Sequence, residues 1–416
     1  MKETSTLEFK ETVTNTFLKT VSAFANYNGG KILFGVKDDG TESGLVDPKQ
    51  TCLNIENKIN DSIRPQPNYT LDIKEPESLV VLTVKPGLNT PYTYKSKAYR
   101  RNDTATIEVD NLELSRLILK GRNLHFEELP ADNQNLTFSI LAQKAKSAIG
   151  IEHFNQDTLK TLNLYSDADG YNHAAELVAD SNNFPGIDIA KFGDSINIIQ
   201  RRVTLDHHSI LQEFDEAIQL YKDYYQYEEI QGASRVQKEL IPEEAFREAL
   251  ANALIHRTWD ISSQIRVFMY DSKIEILSPG GLPAGISEEE YLRGNVSVLR
   301  NPILGNLFYR LHIVEILGTG ILRILDSYQN VSQQPQFEFS NNSIKVVLPV
   351  IQNTQLTEDE NAVWNALSPN ITQSITELAE KLPFGRSKIT ALLNTLIDNG
   401  YVIKEGRGRG TKYRRS

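Results

Sequence analysis

The segment from residue 357 to the end of the chain carries the most closely spaced helix start and stop signals, and these restrict its fold more than any other feature. Thr357 precedes three acidic residues, as an N-cap does, and Ser374 stands three residues before Glu377, the spacing of a capping box. A third apolar-periodic stretch spans residues 386–399, and Gly400 follows it where a C′ glycine belongs. The pattern predicts three short helices packed around one small core.

A basic, glycine-rich end follows these helices. Residues 404–416 hold six Lys or Arg against one Glu, and residues 406–410 predict a flexible hairpin tip after a strand at 401–404. Three helices, a strand and a basic tip resemble the winged-helix family, in which the third helix enters the major groove and the wing touches the DNA backbone. The resemblance implies these DNA contacts: Arg386, Ser387, Lys388 and Thr390 on the helix, and Arg407, Arg409 and Lys412 on the wing. A small helical dimerisation domain with a solvated basic tail is the alternative.

The chain as a whole is acidic and has the composition of a globular protein. Its 416 residues exceed one ordinary core and predict roughly two to four domains. Apolar residues make up 40%, and no stretch reaches the roughly 18 apolar residues that span a bilayer. The one cysteine, Cys52, excludes an internal disulfide in a monomer, and the N-terminus has no secretory signal. We expect a cytoplasmic protein with no membrane partner. Because the net charge is −10 and the basic residues concentrate at the C-terminal end, we expect nucleic acid to bind at that end and not over the whole surface.

A polar stripe runs along a helix predicted to begin at Ile241-Pro-Glu-Glu. Glu248, Asn252 and His256 recur every four residues, which places them on one helix face. Such a stripe can hold a metal ion and polarise a water molecule. A solvated stripe with a structural Asn and a structural His is the alternative.

Four motifs follow one another in this part of the chain: Arg247-Glu-Ala-Leu-Ala-Asn-Ala-Leu-Ile-His-Arg257, Lys273-Ile-Glu-Ile-Leu-Ser-Pro-Gly-Gly-Leu-Pro283, Arg300-Asn-Pro302 and Gly318-Thr-Gly-Ile321. They resemble the RecG-helicase C-terminal-like family, which is related to the GHKL ATPases. The resemblance implies that Glu248 is a catalytic glutamate and that Asn252 holds magnesium. It also implies that Gly318 and Gly320 bind the phosphates of ATP through backbone N–H groups.

One departure from active GHKL enzymes limits what this resemblance implies. Ser278-Pro-Gly-Gly281 stands where active GHKL enzymes carry the aspartate-glycine motif that binds adenine. The resemblance implies ATP with magnesium as the cofactor, whereas the missing aspartate-glycine motif argues against adenine binding. The chain also contains no G-x-x-x-x-G-K-[ST] loop, so the sequence predicts no helicase motor.

Another set of motifs lies near the N-terminus: Leu7-Glu-Phe-Lys10, Ser22-Ala-Phe-Ala-Asn-Tyr-Asn-Gly-Gly-Lys-Ile-Leu-Phe-Gly-Val-Lys-Asp-Asp-Gly40 and Tyr99-Arg-Arg101. Within them, Asn28-Gly29-Gly30 predicts a tight helix-to-strand reversal with positive φ. The motifs resemble the Schlafen/Alba-type divergent DNA-binding domain. The resemblance implies a DNA-binding module, for which Arg100 and Arg101 are the basic candidates.

Some Schlafen relatives are nucleases that use an acidic triad. Glu3 and Glu8 match its paired glutamates by spacing, and Asp38 or Asp39 is the candidate for the third acid. Carboxylates of this kind hold divalent metals that cleave phosphodiesters. An ordinary surface strand with paired charges is the alternative.

These features predict an α+β multi-domain fold with four segments: a Schlafen/Alba-like α/β module at 1–125, a mixed connecting region with a long helix at 126–235, a GHKL-like α/β sandwich with a helical insert at 236–350, and a winged helix-turn-helix at 357–416. The expected function is a DNA-binding transcriptional regulator that senses a nucleotide and acts as a homodimer on double-stranded DNA. A metal-dependent nuclease and a degenerate ATPase-like assembly scaffold are the alternatives. Weak ATPase or nuclease activity stays open.

Overall fold

The structure is a computed structural model that describes residues 2–231, 234–283, 285–294, 298–315, 318–329, 331, 333–351, 357–368, 371–398, 400–406 and 408–415, apart from the side chains of Gln231 and Arg409. The chain divides into two compact units, Met1–Phe126 (unit 1) and Glu127–Ser416 (unit 2). The mixed α+β architecture with several sheets that the sequence predicts is confirmed. Within the described ranges, every helix is too short or too polar to cross a membrane.

Unit 1 combines helices with two small sheets. Its elements in chain order are β1 (Leu7–Lys10), α1 (Phe17–Asn26), β2 (Gly30–Phe34), α2 (Pro48–Ser62), β3 (Ile63–Arg64), β4 (Tyr69–Lys74), β5 (Leu79–Val84), β6 (Thr93–Tyr94), β7 (Lys97–Asn102), β8 (Ala105–Glu108) and α3 (Asn111–Arg122). One sheet has the order β1-β2-β5-β4, in which β1 is parallel to β2 and the other neighbours are antiparallel. The other sheet, β3-β6-β7-β8, is antiparallel throughout.

Helix α1 lies in the core of unit 1, where Phe17, Val21 and Phe24 are almost completely buried. The predicted reversal after this helix is confirmed at Gly29, whose φ is +72°. A Cβ at this position would lie 2.8 Å from the carbonyl oxygen of Val84. The close approach of β5 therefore requires glycine here, in addition to the left-handed backbone.

Unit 2 contains the remaining elements. They are α4 (Ser139–Ile149), α5 (Gln156–Thr161), β9 (Tyr165–Ser166), β10 (Gly170–Tyr171), α6 (His173–Val178), β11 (Ile187–Phe192), β12 (Ile199–Leu205), α7 (Ile210–Tyr225), β13 (Gln226–Gln231), β14 (Ser234–Glu239), α8 (Glu243–His256), β15 (Ile265–Met269), β16 (Lys273–Pro279), α9 (Glu288–Leu292), α10 (Pro302–Arg310), α11 (Gly320–Asp326), β17 (Gln336–Phe339), β18 (Ser343–Pro349), α12 (Glu358–Ala366), α13 (Ile375–Lys381), α14 (Arg386–Asp398), β19 (Val402–Glu405) and β20 (Lys412–Arg415).

A six-stranded sheet with the order β12-β11-β15-β16-β18-β17 forms the centre of unit 2. Strand β11 is parallel to β15, and the other neighbours are antiparallel. Helix α8 packs on β16 and β18 with a face of small and apolar residues, among them Ala249 and Ala253. Because β11 and β12 precede residue 236, this sheet takes strands from both sides of the boundary that the sequence places there.

The C-terminal elements have their own core, and their predicted caps are confirmed. Thr357 and Ser374 each form a capping box with the glutamate three residues later, and Gly400 has a φ of +77°. The buried core residues of this part are Val363, Trp364, Leu367, Leu378, Ile389, Leu393, Leu396, Tyr401, Val402 and Tyr413. Arg415 donates to the carbonyl oxygens of Trp364 and Asn365 and covers the Trp364 ring, so the last strand is anchored to the end of α12.

Candidate functional sites

The polar stripe of α8 lines a small cavity in unit 2. Glu248, Asn252 and His256 contribute to its wall, and so do Gly318 and Gly320. The cavity holds about 70 Å³. This is well below the roughly 300–1,000 Å³ of ordinary small-molecule pockets, so a ligand of nucleotide size requires the wall to open.

Glu248 and Asn252 have unused hydrogen-bonding capacity. Among the described residues, neither side chain has a hydrogen-bond or ion-pair partner, although Glu248 is only 7% exposed. Burial raises the pKa of Glu248 above its ordinary value, and the positive charge of Arg323 opposes this effect. A carboxylate and an amide left without protein partners beside a cavity are suited to a ligand, a metal ion or ordered water.

The two glycines allow the backbone to approach this polar pair. A Cβ on Gly320 would lie 2.8 Å from Oε2 of Glu248 and 2.9 Å from Nδ2 of Asn252. Gly318 adopts a φ of +68°, which disfavours any other residue there. The arrangement fits a magnesium-bound phosphate group, for which Asn252 would supply an oxygen ligand to the metal, Glu248 would act on a water molecule, and the glycines would supply backbone N–H groups.

The Arg300-Asn301 motif holds the end of α8. Arg300 donates to the carbonyl oxygens of His256 and Gly281, both at 2.7 Å. Asn301 donates to the carbonyl oxygens of Ile255 and Arg257 at 2.7 and 2.8 Å. These donors satisfy the last carbonyl groups of the helix, so the motif positions the cavity wall.

Glu127 has a comparable positioning role that sequence reasoning missed. Its carboxylate is fully buried and accepts hydrogen bonds from the backbone N–H groups of Ile303 and Leu304, at 2.5 and 3.0 Å. These are free donors in the first turn of α10, and Pro302 before them marks the start of that helix in the sequence. Burial raises the pKa of Glu127 to about 7. Its partner lies 176 residues away in the chain, so no local pattern indicates the contact.

Ser278 occupies the strand position where the adenine-binding aspartate is expected. Its hydroxyl is 5% exposed and donates to the carbonyl oxygen of Ala253 at 2.8 Å. A slot of about 20 Å³ remains between α8 and the sheet beside Ser278, and Tyr291 forms one of its walls. Ser278 therefore ties β16 to α8 and places no carboxylate in this slot.

In unit 1 the structure places Glu8 in an ion-pair network. Its side chain is 6% exposed and accepts hydrogen bonds from Arg101 at 2.5 Å and from Thr20 at 2.7 Å, while Lys10 lies 2.8 Å away. Arg101 is equally buried, which removes its guanidinium from the surface that DNA could reach. The network neutralises a buried carboxylate, so the charge pairing fits the alternative of a strand with paired charges, whereas the burial of Glu8 does not fit a surface position.

The other predicted acids do not join Glu8. Glu3 accepts a hydrogen bond from the backbone N–H of Phe9 at 2.8 Å, across a turn closed by the Thr4 and Leu7 backbone groups. Asp39 accepts from the backbone N–H of Thr41 in the exposed turn that also contains Asp38. Hydrogen bonding from the side chain of Thr41, and then from its backbone N–H, lowers the pKa of Asp39. Within the described ranges, no group of three or more His, Cys, Asp or Glu side chains is arranged to hold a metal ion.

The basic residues predicted to contact DNA lie in different environments. Arg100 forms an ion pair with Glu113 at 3.1 Å, and its side chain is 38% exposed. Lys388 pairs with Asp359 at 2.5 Å, and Thr390 donates back to the carbonyl oxygen of Arg386. Three further predicted contacts are exposed: Arg386, Ser387 and Lys412. Arg407 and the side chain of Arg409 lie outside the described residues.

Comparisons with known families place two domains in this chain. Residues 3–110 match the family model described as "Schlafen, AlbA_2", and residues 262–348 match the one described as "Putative ATP-dependent DNA helicase recG C-terminal". The chain therefore carries a Schlafen/AlbA_2 domain at its N-terminus and a RecG C-terminal-like domain further along. The second match includes Gly318 and Gly320 and begins after Glu248 and Asn252. No curated protein matches this chain.

Two solved structures are similar to it. The DIP2311 protein from Corynebacterium diphtheriae is 19% identical with a TM-score of 0.52, over 99% of this chain and 92% of that chain. The N-terminal domain of a RecG-related protein from Nitrosomonas europaea is 18% identical with a TM-score of 0.19, over 26% of this chain and 79% of that chain. The first similarity shows a shared fold only, and the second is too low to support a conclusion.

Proposed function

We propose that this protein is a DNA-binding transcriptional regulator whose C-terminal elements form a winged helix. The order α12, α13, α14, β19 and β20 is the one that such a domain requires. Gln373 exchanges two backbone hydrogen bonds with Tyr413, at 2.7 and 2.8 Å, which adds a third short segment to the hairpin. The Schlafen/AlbA_2 and RecG-like domains suggest a nucleic-acid-related function and therefore favour the same proposal.

The division of α14 into two faces is the observation that carries this proposal. Ile389, Leu393 and Leu396 are completely buried, whereas Arg386, Ser387 and Lys388 are exposed at the start of the helix. A helix packed in this way leaves a basic N-terminal end free to enter a major groove. Lys388 would exchange its Asp359 partner for a phosphate or a base on binding.

Point variants test this proposal better than deletion of the basic end does. Removing residues 405–416 would also remove Tyr413, which belongs to the core, and Arg415, which anchors α12. Lys404 and Lys412 are exposed on the hairpin, so replacing both by Ala should spare the fold. Each lost phosphate contact reduces the magnitude of the slope of the logarithm of the binding constant against the logarithm of the salt concentration by about 0.9. The double variant should therefore bind duplex DNA more weakly, and the magnitude of its slope should be smaller by about 1.8.

The matched control is Lys146→Ala, which removes one exposed cation that pairs with Glu152 in another part of unit 2. Fluorescence anisotropy with a labelled duplex at several salt concentrations measures both quantities. An unchanged slope in the double variant would refute the proposed wing. Binding that is lost equally in the control would indicate only general electrostatic attraction.

We also propose that the cavity beside α8 senses a nucleotide. Two observations support this proposal: Glu248 and Asn252 have no partner among the residues that the structure describes, and the backbone at Gly320 approaches both of them closely. When bound, magnesium would neutralise phosphate charge; Asn252 would hold it, and Glu248 would orient or deprotonate a water molecule. In a thermal-shift assay with ATP or ADP and magnesium, Asn252→Ala should abolish the shift and Glu248→Gln should retain it. If the wild type shows no thermal shift at millimolar nucleotide, the alternative of an assembly scaffold describes this part of the protein better.

A homodimer is the oligomeric state that we propose for DNA binding, because operators with two half-sites are read by two-fold symmetric dimers. Multi-angle light scattering should then give about twice the chain mass of 47.0 kDa. A mass of one chain at micromolar concentration, both with and without duplex, would contradict the dimer. It would leave the winged-helix proposal untouched.

A further inference from the structure

His256 is the member of the α8 stripe that the proposed nucleotide site has not yet used. Its ring lines both the cavity beside Glu248 and the narrower slot beside Ser278, so it lies at the junction of the two spaces. Its Nδ1 atom is enclosed and has no hydrogen-bond partner in the described part of the chain. An enclosed polar atom without a partner destabilises the ligand-free state, which suggests that a bound molecule supplies the partner.

Of the other polar groups at or near the slot, Ser278, Arg300 and Asn301 are already engaged, whereas Asn252 lines both the slot and the larger cavity. Ser278 uses its hydroxyl on the Ala253 carbonyl, and Arg300 uses its guanidinium on the carbonyl oxygens of His256 and Gly281. Asn301 donates to the last carbonyl groups of α8. The imidazole therefore offers unused hydrogen-bonding capacity in a slot where Ser278 supplies no carboxylate.

The imidazole is neutral in this environment. Burial lowers the pKa of His256 to about 4, and the positive charge of Arg300 acts in the same direction. A neutral imidazole presents one donor and one acceptor, so it can hydrogen-bond the edge of a nitrogen heterocycle. Besides His256, Asn252, Ser278 and Tyr291, the slot is lined by small or apolar residues, as a planar ring requires: Ala249, Ala253, Ile276, Ile344 and Val346.

We propose that His256 contacts the base of the bound nucleotide through Nδ1 and thereby sets which purine this site accepts. This inference rests on the nucleotide-sensing part of the proposed function. The phosphates would lie toward Glu248, Asn252 and Gly320, and the base would enter the slot beside Ser278. Because the slot holds only about 20 Å³, Tyr291 has to move aside when the base enters.

Three substitutions separate a base contact from a structural role. His256→Phe keeps a ring but removes both nitrogens. His256→Asn places an amide near the position of Nδ1, whereas His256→Gln places it near the position of Nε2. Titration calorimetry with magnesium and ATP, GTP or inorganic tripolyphosphate measures the contribution of the base separately from that of the phosphates.

We expect His256→Phe to weaken binding of the preferred purine nucleotide at least tenfold and to leave the affinity for tripolyphosphate unchanged. His256→Asn should recover most of the affinity, and His256→Gln should not. The ligand-free Phe variant should melt at the same temperature as the wild type or higher, because an unpaired buried nitrogen has been replaced by carbon.

Wild-type affinity for ATP and GTP in the Phe variant would refute the base contact and leave the nucleotide site standing. Equal weakening of nucleotide and tripolyphosphate would also refute it, because His256 would then only support the cavity. If the wild type binds none of the three ligands, the nucleotide-sensing proposal itself is wrong, and the base contact falls with it.

Discussion

Replacing Arg101 by Met tests whether Glu8 is part of a structural network or of a catalytic one. Both side chains are 6% exposed, and the remaining partners of Glu8 are Lys10, which is 23% exposed, and Thr20. Removing one member of a buried ion pair costs about 3–5 kcal/mol, because the other charge is left without compensation. Since Lys10 and Thr20 stay in place, we expect the lower end, about 3 kcal/mol, which accelerates opening of this region more than roughly a hundredfold.

Hydrogen exchange followed by mass spectrometry is the appropriate assay. Both tryptophans of the chain, Trp259 and Trp364, lie in unit 2, so their fluorescence does not report on unit 1. Peptides covering β1 and α1 should exchange much faster in Arg101→Met. The matched control is Arg100→Met on the same strand, whose more exposed pair with Glu113 should contribute less than about 1 kcal/mol.

Two results would refute this reasoning. Equal exchange in the Arg101 and Arg100 variants would show that the Glu8 network contributes nothing specific. Protection of β1 in the wild type by millimolar magnesium or manganese, lost in Glu8→Gln, would show that Glu8 binds a metal ion. Glu8 would then be available as a metal ligand, as the nuclease alternative requires.

Three further substitutions have defined expectations. Gly121→Ala should destabilise α3 by more than about 2 kcal/mol in hydrogen exchange, because its Cβ would lie 1.8 Å from the Thr90 carbonyl oxygen; unchanged exchange would contradict this. Burial raises the pKa of Glu213 to about 8, so its stabilising effect is complete below about pH 4.5 and is lost as the pH rises through 8. The melting temperature of unit 2 should accordingly fall from pH 5.5 to 8, and the fall should be smaller in Glu213→Gln. Arg415→Ala should cost about 1–2 kcal/mol and alter Trp364 fluorescence, since the guanidinium covers that ring at 4.0 Å; an unchanged spectrum would contradict the contact.

The sequence determined those features whose partners lie within about one helical turn. The capping boxes at Thr357 and Ser374 need only the residue three positions later, and the pattern located the N-cap at Thr357 and the capping box at Ser374. The shared face of Glu248, Asn252 and His256 follows from the helical repeat alone, and all three line one cavity. The reversal at Gly29 is local in the same sense, because the glycine itself supplies the left-handed backbone.

The partners of charges and the composition of the sheets depend on distant parts of the chain, and only the tertiary structure decided them. The sequence predicts Arg101 as a DNA contact, yet β7 packs against α1 and Arg101 pairs with Glu8, 93 residues away. The sequence predicts Arg300 as part of a nucleotide-site motif, yet its guanidinium caps the end of α8, 44 residues away. A charged side chain binds whichever opposite charge or free carbonyl folding brings within about 3 Å, and no local periodicity encodes that encounter.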